Sequence, residues 1–153
     1  MSALYVRDQF KQFLLEKFPS ENFIDLTGQF GNIQEFIEDS GITRNDNWIG
    51  LEFLGDDEVA VGLAADHEQG CYREFGVVVL HIVDIAAIGV GQDIVLKAES
   101  IRNTLRGRRI NDIIINSVSP PDFRSSSTLQ FESGYIGASI SANYQYTFNI
   151  TQE

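Results

Sequence analysis

Asp66-His67-Glu68 places three potential ligands side by side, the donor types that suit a divalent cation or an acid–base pair. Adjacent residues in a polar loop rarely converge on one ion, and the chain has 2 histidines in all, so a solvated loop is expected. The second histidine, His81, falls within the apolar run Val77–Val83 and is expected to be a satisfied, partly buried side chain rather than a base. Cys71 would need a histidine partner to act as a nucleophile, and nothing in the sequence supplies one. Gly28–Gly31 and Gly89–Gly91 match neither phosphate-loop pattern, and Ser125–Ser127 lacks the flanking glycines of a nucleophile elbow. Asp56-Asp57-Glu58 and Glu38-Asp39 read as turn and helix-end acids, not as a catalytic dyad. The expectation is therefore no catalytic residue, no cofactor and no metal.

The arginines around Gly107 carry more. Arg106, Arg108 and Arg109 could hold phosphates, or form bidentate pairs with carboxylates on a neighbouring copy. They could also simply compensate the negative end of a helix dipole. The formal charge of −11 disfavours phosphates, since a nucleic-acid binder is expected to be basic. The distribution sharpens this. From Glu21 to Asp84 fourteen acids face only Arg44 and Arg73, a net of −12; from Lys97 to Arg124 the net is +3. Opposite patches on one molecule suit head-to-tail association, in which each meets its complement on the next copy. Two solvated faces would give the same counts.

The elements that must position these residues follow from periodicity. Apolar Ala3, Val6, Phe10, Phe13 and Leu14 recur at helical spacing after a capping Ser2, and Pro19 closes that helix. Asn22–Thr27 suits a short strand, and Asn32–Asp39 a helical turn ending at Gly41. Trp48–Leu54 alternates with Ile49, Leu51 and Phe53 inward; Gly55-Asp56-Asp57-Glu58 is expected to turn the chain, so that Val59–Leu63 pairs back. Ala64–Gly70 reads as a loop. Cys71–Ile85 is a long strand whose apolar centre argues for a central, doubly covered position. Ile94, Ala98, Ile101 and Leu105 mark a second helix, about 92–106, with Asp93 near its start, Arg102 and Arg106 near its end and Gly107 beyond it.

Ile110–Val118 is a further strand stopped by Pro120-Pro121, and Ser125–Ser127 an exposed loop. Tyr135–Ile150 then alternates strictly, with Ile136, Ala138, Ile140, Ala142, Tyr144, Tyr146, Phe148 and Ile150 on one face. Extended, that is roughly 50 Å of strand. It is uncharged from Gly134 to Ile150, and an edge of that kind needs cover. The expected fold is α+β: a mixed, mainly antiparallel sheet with an N-terminal helix and a second helix packed on it, plus a β-hairpin. The 153 residues form one domain, with 151–153 expected to be disordered. Apolar content of 43% fits a globular chain, and no apolar run approaches the ~20 residues of a membrane span. One cysteine excludes an internal disulfide and fits a reducing compartment, the host cytoplasm during assembly on the reading below.

The order of elements resembles a known family. An N-terminal helix precedes Trp48–Leu54 and an apolar strand; the helix ending Ser100-Ile101-Arg102-Asn103-Thr104-Leu105-Arg106-Gly107-Arg108 follows. A proline-containing segment with Phe123 then leads to the terminal strand Gly137–Phe148. This is similar to the tail terminator, or tail completion, proteins of siphophages. The resemblance implies a homo-oligomer, a hexameric ring on the last ring of tail tube protein, which ends tube polymerisation and presents a surface to head-completion or neck proteins. It implies a virion location and no cofactor, turnover, membrane or specific nucleic acid. Arg102, Arg106, Arg108 and Arg109 are the expected cationic contacts between subunits, and Asp56, Asp57 and Glu58 the anionic ones. A head–tail connector or tail tube subunit is the nearest alternative; a small cytosolic ligand-binding domain or enzyme using the loop at His67 is another.

Overall fold

The computed structural model of the chain describes residues 2–28, 31–32, 41, 47–61, 71–85, 90–122, 129–130 and 135–149. The apolar stripe at the N-terminus winds Ser2–Lys17 into α1, burying Val6, Phe10 and Leu14 completely. It ends ahead of Pro19, with the Phe18 amide donating to Leu14 O at 2.8 Å. The second stripe forms α2, Val90–Leu105, whose Ile94, Ala98, Ile101 and Leu105 are fully buried. Gly107, at φ +66°, takes the left-handed conformation that turns the chain out of α2. The Arg108 amide closes that turn on Leu105 O at 3.1 Å.

Among the described residues eight strands are formed, in chain order: β1 Phe23–Asp25, β2 Gly31–Asn32, β3 Trp48–Val61, β4 Cys71–Ile85, β5 Arg109–Ile110, β6 Ile113–Val118, β7 Leu129–Gln130 and β8 Tyr135–Asn149. Six form one sheet in the order β1-β3-β4-β8-β6-β5; β2 and β7 pair separately. Only β1 runs parallel to its neighbour in the six-stranded sheet, so the fold is α+β with a mixed, mainly antiparallel sheet, as expected. Both helices cover one face. Their buried residues join Ile49, Leu51, Phe53, Val78, Leu80, Ile82, Ala138, Ile140, Ala142 and Tyr144 in one core. Each such aliphatic side chain contributes about 1.5–3 kcal/mol by leaving water.

Three expectations need correction. Gly55-Asp56-Asp57-Glu58 is not a turn: β3 runs straight through it, with a register shift between Gly55 and Asp57, and Val59 pairs with Arg73 instead of folding back on Trp48–Leu54. A bulge absorbs the extra residue that a turn would have needed. Ile110–Val118 is not continuous, because Asn111, at φ +52°, and Asp112 make a two-residue turn between β5 and β6. Asn32 lies in β2, and the rest of the helical turn expected at 32–39 falls outside the described residues, as do 64–70, 123–128 and 151–153. The central place of β4 does hold, between β3 and β8. Its second face is covered in part: His81 and Val83 are buried there, whereas Val77 and Val79 are half-buried.

The three long strands outrun the core. The last core residues are Phe53 on β3, Val78 on β4 and Tyr144 on β8, yet these strands stay paired as far as Val61, Cys71 and Asn149. Residues 55–61, 71–75 and 145–149 carry these strands on as an arm, which β6 flanks as far as Tyr146 and which is three-stranded beyond it. Gly55 and Gly76 stand opposite each other at its root.

Candidate subunit interface

The arginines gather where α2 ends and β5 begins, at one margin of the sheet. The expected acids lie elsewhere. Asp56, Asp57 and Glu58 sit on β3 in the arm, with β4, β8 and β6 between them and β5. At ~4.8 Å per strand the two groups are about 19 Å apart across the sheet. For these two groups the separation along the sequence is also one across the sheet, whereas Lys97 of the basic stretch meets Glu21 and Asp84 of the acidic one at 3.5 and 3.1 Å.

The four arginines are not equivalent. Arg102 is half-buried and turned inward: its Nε donates to Val118 O at 3.3 Å and its Nη1 lies 3.7 Å from Glu99 Oε2. Its clearest work is to clasp α2 to β6, which the sequence did not reveal. Arg108 is exposed, donates from Nε to Thr104 O at 3.2 Å, and holds its guanidinium 5.8 Å from the centre of the Phe13 ring. Arg109 is exposed and donates from Nε to Asn111 O at 2.9 Å. Arg106 is exposed; its amide donates to Arg102 O at 2.9 Å, and its side chain has no hydrogen bond or ion pair among the described residues. Arg106, Arg108 and Arg109 thus form a cationic corner without an ion-paired carboxylate among the described residues. Beside it a recess of about 310 Å³ opens between α1 and the β5–β6 turn, lined by Gln9, Gln12, Phe13, Glu16, Arg109, Ile110 and Asn111. A hydrogen bond from Asn111 Nδ2 to Gln9 Oε1 ties its two sides together.

The arm carries an aromatic stripe on its helix-facing side. Tyr5 of α1 stacks on Tyr146 at 5.0 Å between ring centres, Tyr146 on Phe148 at 5.5 Å, and Phe148 on Tyr72 at 6.0 Å. All four are half-buried; Tyr5 and Tyr146 pack against the core, whereas Tyr72 and Phe148 lie beyond it. Burial, with Asp112 close by, raises the Tyr5 phenol above its ordinary pKa, and burial likewise raises Tyr146.

On the other face of the sheet His81 joins three strands. Its Nδ1 lies 2.9 Å from Ser139 Oγ and its Nε2 2.9 Å from Glu52 Oε1. A serine–histidine–glutamate row is the raw material of nucleophilic catalysis, but the geometry lacks an essential part. The Ser139 amide already donates to Asp122 O at 2.8 Å, so it cannot stabilise an oxyanion. The row is better read as the satisfied histidine expected from sequence, now with its partners identified. Glu52 was legible as an outward residue of β3, but nothing local announced that it would meet His81.

His67 lies outside the described residues, and Cys71 is placed by its backbone at the start of β4, opposite Val61 and Asn149. Among the described residues no group of three His, Cys, Asp or Glu could hold a metal ion, and no helix is long and apolar enough to cross a membrane.

No family model and no curated protein matches the chain. Among solved structures, one whose name describes no activity is similar over 97% of this chain and 97% of its own, with a TM-score of 0.57 at 13% sequence identity. At that identity the likeness shows the α+β fold and nothing about activity.

Proposed function

We propose that this chain is a structural ring subunit of a long-tailed phage particle, a tail terminator that caps the tail tube, ends its polymerisation and forms the joining surface for the neck. One observation carries the reading: a cationic corner and an acid-bearing arm stand at separate places on one sheet, about 19 Å apart, where a single copy cannot bring them together. A head-to-tail contact between copies does so, and repeated by rotation it closes a ring. The arm supports the reading in a second way. Three paired strands that outrun their own core gain cover by lying on a neighbour. The resemblance in element order supplies the particular place in the particle.

Deletion of the gene followed by electron microscopy tests this directly. Overlong tails without heads support termination; normal virions overturn it. A tail tube subunit, the nearest alternative, would polymerise alone into long tubes, whereas a terminator stops at one ring. An enzyme or ligand-binding domain working through the loop at His67 would lose its function when that histidine is replaced, and a terminator would not.

A further inference from the structure

We infer that the outer edge of β5, with the recess beside it, is a seat for an extended acidic segment of a partner protein, which pairs with the main chain of Arg109 and reaches into the recess under α1. Hydrogen bonding defines the edge. Ile110 and Ile113 flank the Asn111-Asp112 turn, and one residue further back on each side of Arg109 and Ile114 the Ile115 amide donates to Arg108 O at 3.0 Å. Bonded and non-bonded couples alternate along an antiparallel pair, so Arg109, opposite Ile114, exchanges no bond with it. Its N–H and C=O therefore point away from β6, off the last strand of the sheet, and neither has a partner among the described residues. An extended chain laid along that edge takes both, as a further strand would.

The recess sets the character of the partner. Its space of about 310 Å³ is walled by α1 on one side and by Arg109 and the β5–β6 turn on the other. Gln9, Gln12 and Asn111 bring three side-chain amides to it, and an amide, with both a donor and an acceptor, matches a peptide group. The Asn111 Nδ2 bond to Gln9 Oε1 uses one end of two of them, while the Gln12 side chain has no hydrogen bond among the described residues. The charge is positive. Arg109 is held only through Nε, which leaves its Nη groups to donate, and Arg108 and Lys17 each hold a cation 5.8 Å from the centre of the Phe13 ring on the recess wall. Glu16 is the one acid of the lining; Asp112, next in the turn, is engaged with Tyr5, whose hydroxyl donates to it at 3.4 Å. Carboxylates answer such cations, and Arg109 takes one bidentately. Phosphates would answer them too, but they have no use for the amides or the open main chain, and a chain of net charge −11 repels a polyanion as a whole. An acidic peptide satisfies all three features at once.

The test selects displayed random heptapeptides on the immobilised full chain and makes the enriched sequence as a capped, soluble peptide. Enriched peptides are expected to carry acidic residues beside an apolar one. Arg109→Glu should weaken their binding on the order of tenfold or more, and Arg109→Gln, which keeps the main chain and removes the charge, by a smaller factor; circular dichroism checks that both variants fold. On isotope-labelled protein, saturating peptide should slow hydrogen exchange of the Arg109 amide roughly tenfold or more, which main-chain pairing does and a purely ionic contact does not. The inference is overturned if no peptide is enriched, if the enriched peptides are not acidic, if folded Arg109→Glu binds them as the parent does, or if exchange at Arg109 is unchanged. It is also overturned if that amide becomes protected without peptide as protein concentration rises, since a second copy then occupies the edge. None of these measurements involves a phage particle, so their outcome stands whether or not the chain ends a tail tube.

Discussion

The Tyr144 ring lies flat against the backbone of Gly76: a Cβ built at position 76 would stand 2.4 Å from Tyr144 Oη and 2.5 Å from its Cζ. The two residues are directly opposite on β4 and β8, and Gly55 completes the row on β3. An aromatic ring thus covers glycine where the arm leaves the core. Tyr144 is 4% exposed and also meets Phe10 edge to face at 5.7 Å, so it has little room to retreat. Gly76→Ala should destabilise the fold by about 1–3 kcal/mol, the usual cost of overpacking, read as a lowered urea midpoint. An unchanged midpoint would mean that the ring moves freely and that the root of the arm is loosely packed.

The same tyrosine makes stability fall in strong alkali. Burial, with Glu74 close by, pushes its phenol from 10.0 up to about 12. A folded pKa above the unfolded one means that the protonated phenol favours the fold. This contribution is complete below pH 10 and is lost as pH rises through the folded value near 12. Its size is on the order of 2–3 kcal/mol. Titration of phenolate absorbance should reveal a late-ionising tyrosine near pH 12 that is lost in Tyr144→Phe, and unfolding free energy should decline through that window less steeply in the variant.

His81 is 3% exposed and holds Glu52 and Ser139 at 2.9 Å each. His81→Leu leaves the Glu52 carboxylate, whose side chain is 14% exposed, facing an apolar neighbour, and should cost roughly 2–3 kcal/mol. Ser139→Ala removes one neutral hydrogen bond and should cost about 1 kcal/mol. Chemical denaturation of both variants checks the order. The reverse order would show that the serine, and not the carboxylate, anchors the row.

These sites differ in how far the sequence announced them. The α2 stripe and the alternation of β8 are periodic signals read within one element, and both emerge as expected because burial on one face is enough to produce them. Gly55-Asp56-Asp57-Glu58 misled because its composition is that of a turn, while the strand was carried on by partners beyond it, from Phe75 to Cys71. Acids on an exposed margin also guard a strand against unwanted pairing, so turn composition there need not mean a turn. The His81 row joins residues 29 and 58 positions apart, and the inward clasp of Arg102 depends on where β6 returns. Contacts set by register and packing leave no local trace.

Asp25 ties α1 to β1. Burial pushes its carboxyl up, but hydrogen bonds from Thr27 and the guanidinium of Arg7 outweigh this and hold its pKa below the usual 3.8. Arg7 Nη2 lies 2.5 Å and its Nε 2.9 Å from Asp25 Oδ2. A lowered folded pKa stabilises above the unfolded value and is lost as pH falls through the folded one. Asp25→Asn should therefore lower stability at neutral pH and narrow its gap from the parent protein as acid is added below about pH 4. A gap that is constant with pH would assign the contribution to shape and not to charge.

Arg102, Arg106 and Arg108 lie along the same helix end but answer to different partners, and reversal of charge separates them. Arg102→Glu removes the donor to Val118 O and sets a second acid beside Glu99, so it should lower stability by about 1–2 kcal/mol. Arg106 and Arg108 are exposed, and only the Nε bond and ring contact of Arg108 hold either one within the molecule. Reversing both to glutamate should cost less than about 1 kcal/mol of stability while abolishing ring formation or tail closure. Adding salt to the parent protein should weaken the same association, because charges on exposed surfaces are screened within ~10 Å at 0.1 M. Sedimentation alongside urea unfolding distinguishes the two effects. If the doubly reversed protein still assembles, or if tails carrying it close normally, opposed charges are not what brings the copies together.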